Sequence, residues 1–138
     1  MQRIGHTLIA VVAGVVVAFA LAAAIEWLGQ QAYPTPPGVD FSNPGQARDH
    51  VRNLPIGALL LVLASWVVAT FCGGIVAGAI EKGRPRRAAA LVGVVVLLAT
   101  LANLVLIPQP LWFCFVGVAS IVVSAVAAGR AMSFMAAH

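Results

Sequence analysis

The run from Pro55 to Ile80, PIGALLLVLASWVVATFCGGIVAGAI, contains no charged residue. At about 1.5 Å of rise per residue it can cross a hydrocarbon core of about 30 Å with some tilt, so it predicts a membrane-spanning helix. With side chains spaced about 100° apart, Trp66, Ala69, Thr70, Gly73 and Ala77 share one side, and Leu61, Val68, Phe71 and Ile75 the other. Lipid gives no hydrophobic drive for helix association, so small residues that let backbones approach mark the packing side. Gly74 and Gly78 form a GxxxG pair beside that face, and Ala69, Gly73 and Ala77 a second small ridge. This helix is expected to be the central packing element.

Three further apolar runs, at about 4–28, 88–107 and 111–132, have spanning length. Together they predict an all-α membrane protein: a four-transmembrane-helix antiparallel bundle forming a single integral-membrane domain over 1–138. In the first helix Ala10, Ala13, Gly14, Ala20 and Ala24 cluster as the expected seam, with Glu26 projecting nearly opposite. The third sets Ala89, Gly93, Val96, Thr100 and Asn103 against Leu91, Val94, Leu98, Leu101 and Val105. The fourth sets Phe113, Gly117, Ser120, Ser124, Ala127 and Ala131 against Leu111, Phe115, Val118 and Val122.

Residues 29–54 form an outer segment. Pro34, Pro36 and Pro37 favour an extended path, and Gly38 permits a turn. Ser42 or Asn43 followed by Pro44 is a helix-start signal, predicting a short extramembrane helix to about Asn53. Ala47, Val51 and Leu54 fall on one face of it, so it is expected to lie along the surface, apolar side down. Between spans two and three, Gly83 and Pro85 break the helix in a short turn, making those spans antiparallel neighbours.

Composition narrows the class. Of 138 residues, 62% are hydrophobic and 9% charged, against about 25% charged in a soluble domain. Arg3 and His6 before the first run, and Ala22 to Ala24 within it, resemble a secretory signal. The run exceeds the roughly 7–15 apolar residues of a signal, so it is read as a span. Six basic residues, Arg3, Lys82, Arg84, Arg86, Arg87 and Arg130, fall on one side of the predicted bundle, and Arg48 and Arg52 on the other. By the positive-inside rule both termini are expected in the cytoplasm. The net charge of +4 therefore reports topology; the basic residues lack the interleaved aromatics of a nucleic-acid binder. Cys72 and Cys114 fall at different depths, and both read as small buried hydrophobes.

The chemistry-bearing residues are few. The chain has no P-loop, dinucleotide-binding fingerprint, HExxH, CxxC or G-x-S-x-G, and no cofactor or metal site is expected. Glu26 and Asn103 lie at similar depth near the outer ends of their helices. With Gln109, Trp112 and the outer-segment residues His50 and Arg52, they define a candidate ligand-binding layer opening outward. More commonly, such a glutamate reaches the headgroups beside a residue like Trp27, and such an asparagine bonds a neighbouring helix. Ser65, Thr70, Thr100, Ser120 and Ser124 could line a polar path, although such residues usually bond the carbonyl one turn back.

Several stretches, E-W-L-G, Y-P-T-P-P-G, N-L-P-I-G-A, A-N-L and I-P-Q-P-L-W-F, together with the spacing from Trp66 to Gly73 and Gly74, resemble a family of small, uncharacterised bacterial four-span membrane proteins. The resemblance covers nearly the whole chain. It implies the fold and a bacterial inner membrane, and brings no activity. Three functions follow as expectations. The first is a non-enzymatic protein binding membrane lipid, another hydrophobic molecule or a partner near its outer surface. The second is a homo-oligomeric ion or proton channel with Glu26 as ring charge. The third is an integral-membrane enzyme using Glu26 and His50 as acid and base.

Overall fold

A computed structural model describes residues 2–138, with side chains from Ile4 onward. Five helices follow in order: α1 (Gln2–Ala32), α2 (Pro44–Arg52), α3 (Ile56–Ile80), α4 (Pro85–Leu106) and α5 (Leu111–Ala136). All but α2 are long and apolar enough to cross a membrane. The protein is an all-α, multi-pass bundle of four antiparallel spans, with α2 outside them.

Local chemistry sets the ends. α1 continues past residue 28 to Ala32, and Tyr33 still donates its N–H to the Gly29 carbonyl at 2.8 Å. Pro34 then disfavours helical geometry at the residue before it. α4 starts at Pro85, three positions ahead of the expected 88, because proline suits the first helical position. Asn43 caps α2: its side-chain oxygen accepts from the amides of Gly45 at 3.0 Å and Gln46 at 3.4 Å. Ala47 and Val51 of α2 are buried within the protein itself, so the amphipathic helix lays its apolar side on protein rather than on lipid. Gly38, at φ +92°, takes the turn that precedes it.

α3 packs against all three other spans, as its small face predicts. α1 and α5 each pack on α3 and α4 and form no seam with one another. The contacts are close because side chains are missing where helices cross. A Cβ on Gly14 would lie 2.5 Å from the Gly73 carbonyl oxygen, and one on Gly73 would lie 2.5 Å from the Gly14 carbonyl oxygen. The GxxxG pair turns to α5, where Gly74 meets Ala128 and Gly78 meets Met132. Gly93 of α4 meets Ala125 of α5 in the same way. Where α3 carries larger residues, Trp66 fills the space over Gly117 and stands edge-on to Phe113 at 5.2 Å.

The seam of α1 departs from expectation. Ala10, Gly14 and Ala18 are buried, whereas Ala20 and Ala24 are exposed. Ala10, Gly14 and Ala18 recur every four residues and present one narrow ridge to α3, which the broader set of small residues blurs. The seam is rotated toward Glu26, which stands on its flank. Ala127 of α5 is likewise exposed, and Ile121, Ala125 and Ala128 carry that contact. Ser65, Ser120 and Ser124 donate to carbonyls within their own helices, at Val62, Gly117 and Ser120. Thr70 is fully buried with no partner for its hydroxyl. Both cysteines are free and half-buried.

Gly73→Val should separate α1 from α3, at a cost of about 1–3 kcal/mol for an overpacked core. Gly5→Ala, where a Cβ meets nothing within 4 Å, should be neutral or slightly stabilising. Thermal unfolding of the two variants in detergent checks both outcomes.

Candidate functional site

α1, α3 and α4 line an open cleft of about 250 Å³ that brings together Glu26 and Asn103, both exposed. α1 supplies Ala18, Ala22 and Glu26, α3 supplies Trp66 and Ala69, and α4 supplies Thr100 and Asn103. The helical repeat explains the set: residues 18, 22 and 26 of α1, and 96, 100 and 103 of α4, fall along single helix flanks. Small alanines leave the volume, and the indole of Trp66 closes one wall. The cavity is thus apolar-walled with a carboxyl group, an amide and a hydroxyl facing it.

Glu26 Oε1 accepts a hydrogen bond from Ser65 Oγ at 3.3 Å. The same hydroxyl lies 2.7 Å from the Val62 carbonyl, so its single proton is shared and the closer acceptor takes most of it. Glu26 therefore retains most of its capacity to accept hydrogen bonds. This Ser65 contact joins α1 to α3 across a long sequence separation. Ser65 bonds the carbonyl one turn back, as the sequence leads one to expect, and its additional contact with Glu26 would follow from the four-residue ridge of Ala10, Gly14 and Ala18, which points Glu26 toward α3.

The other expected site residues are dispersed, and none of them lines this cavity. His50 is half-buried and packs edge-on against Phe41, with ring centres 5.5 Å apart. Arg52 is exposed on the last turn of α2. Gln109 sits in the α4–α5 turn with its side-chain oxygen buried and unpartnered. Trp112 stands edge-on to Phe113 at 5.8 Å with 42% of its surface exposed. Glu26 and His50 are thus not brought into one cavity as an acid–base pair. Among the described residues, no group of three histidine, cysteine or acidic side chains could hold a metal.

The opposite end, where both termini and the α3–α4 turn meet, carries a second polar cluster. Glu81, just past α3, accepts from the Thr7 hydroxyl at 2.7 Å, and His6 Nδ1 lies 3.5 Å from the same oxygen. The Thr7 hydrogen bond holds the Glu81 carboxyl below its ordinary value of 4.5, with smaller help from His6 and Arg84. Nothing in the sequence pattern pairs Thr7 with Glu81, because their helices meet only in the folded bundle. No known family model, curated protein or solved structure matches the chain.

Because the folded value of Glu81 is lowered, its contribution to stability is present above pH 4.5 and lost as pH falls through that lowered value. Thr7→Val removes the largest cause of the lowering. The acid-unfolding midpoint of this variant should move to higher pH than that of the parent protein, read by circular dichroism in detergent from neutral to acidic pH.

Proposed function

We propose that the protein is a non-enzymatic membrane protein that binds a lipid or other hydrophobic molecule carrying a hydrogen-bond donor, in the cavity between α1, α3 and α4. One observation carries this reading: Glu26, with a single long hydrogen bond, and Asn103 face the same small apolar-walled space. A hydroxyl or amine of an amphiphile satisfies the carboxyl group, while its apolar part lies against alanine and Trp66. Polar groups placed against such a wall fix orientation, and the wall supplies affinity.

The distribution of basic residues supports cytoplasmic termini, so the cavity belongs to the outward half of the bundle. The resemblance of its sequence stretches to those of small bacterial four-span proteins is what favours a bacterial inner membrane. The channel alternative draws on the exposure of Glu26 on the flank of the single bundle, where a second copy could face it.

Native mass spectrometry of protein released from mild detergent separates these readings. The binding reading expects a monomer or dimer carrying a lipid-mass adduct. Glu26→Ala should lower adduct retention about fivefold, as loss of a hydrogen bond worth about 1 kcal/mol does, and Asn103→Ala should lower it less. Retention unchanged in both variants sinks the proposal. A closed ring of three or more subunits without an adduct supports the channel instead.

A further inference from the structure

The α4 helix has a groove on each side at the end where the termini lie. Between α4 and α5 the groove has a volume of about 300 Å³ and is headed by Arg86 and Arg130. Between α1 and α4 it has a volume of about 870 Å³ and is headed by Arg84 and Arg87. Val94 lines both, so the exposed ridge of α4 separates two apolar channels that begin among four arginines.

Length and charge define the occupant. From Arg86 to Leu97 the first groove runs about 16 Å along α4, close to the roughly 15 Å of one leaflet's hydrocarbon. Its walls are almost wholly alkyl, with Gly93, Ala90 and Ala125 providing the depth. At its head, Arg86 Nε donates to Ser133 Oγ at 3.0 Å, and Ser133 in turn donates to the Gly129 carbonyl at 2.9 Å. This chain of bonds holds the guanidinium in place and leaves its terminal amino groups free for an anion. Among the described residues the one salt bridge is His6 with Glu81, so neither Arg86 nor Arg130 has a carboxylate partner. Glu81 is the sole acidic residue lining either groove, and Thr7 and His6 hold it. The first turn of α4 has no acidic residue and no capping side chain, adding the partial positive charge of a helix start.

We propose that an anionic phospholipid of the leaflet at the termini end straddles α4. Its phosphate bonds Arg86 and Arg130, one acyl chain fills the α4–α5 groove, and the other crosses Val94 into the α1–α4 groove. Basic pockets between spanning helices are suited to such headgroups, and arginine presents a planar fork to phosphate oxygens. This site lies at the opposite end of the bundle from Glu26 and does not depend on the reading of that cavity.

The test titrates phosphatidylglycerol and phosphatidylcholine into the full-length protein in detergent and counts bound lipid by native mass spectrometry. The parent protein should retain phosphatidylglycerol preferentially. R86Q/R130Q should weaken that retention by about thirtyfold, each arginine at a membrane surface contributing a factor of about five. R48Q/R52Q, with the same change in net charge at the other end, should leave it unchanged. Ala90→Trp, at an exposed position within the α4–α5 groove, should also reduce retention while keeping every arginine. Circular dichroism establishes that each variant is folded. Equal loss in the two double variants, or no loss in R86Q/R130Q, overturns the phosphate site. Undiminished retention in Ala90→Trp overturns the seating of a chain in the groove.

Discussion

The bundle depends on one close approach, the crossing of α1 and α3 at Gly14 and Gly73. There each backbone carbonyl stands where the other helix's Cβ would be, so no side chain separates the two. In water such a contact would add little to a hydrophobic core; in lipid, dispersion between close backbones is a main source of helix affinity. The same device recurs at Gly74 with Ala128 and at Gly93 with Ala125, giving three seams built on absent side chains.

Residue size along α3 then divides the bundle into two halves. Toward the termini end α3 presents Gly73, Gly74, Ala77 and Gly78, and helix meets helix directly. Toward the α2 end it presents Leu59, Leu63 and Trp66, which act as spacers. Side chains at a contact set the interaxial distance, so the small cavity holding Glu26 belongs with the large fillers. At the other end the helices join tightly, and small residues on α4 and α5 leave grooves on the outside of the bundle that are as open as the Glu26 cleft.

Much of this was legible in the sequence. The four spans follow from apolar length, and the start of α2 follows from Asn43 and Pro44, whose chemistry acts locally. The faces of α3 and α4 agree with the structure, apart from Asn103, which is exposed, because bulky residues such as Phe71, Leu98 and Val105 mark the lipid side clearly. α1 offers no such contrast. It is rich in alanine and valine on every side, so its seam is set by what α3 presents, and Ala20 and Ala24 turn outward despite their size. For the same reason Glu26 joins Asn103 as expected, yet by way of a flank that the seam misplaced. His50, Arg52, Gln109 and Trp112 belong to the same end of the bundle without lining that cleft, since nearness to one end of a helix carries no information on azimuth.

The pattern of contacts also bears on how the protein comes together during synthesis. α3, α4 and α5 touch one another mutually, whereas α1 leans on α3 and α4 and makes no seam with α5. Yet α1 is translated first. It enters the bilayer before either of its partners exists and obtains its complete seat only once the third span has inserted behind it. Until α3 inserts, the ridge of Ala10, Gly14 and Ala18 faces lipid and Glu26 lacks Ser65; until α4 follows, it lacks Asn103. Made before either partner, α1 waits for two further spans before its seat is complete, and the hairpin of α3 and α4 is the template on which it settles.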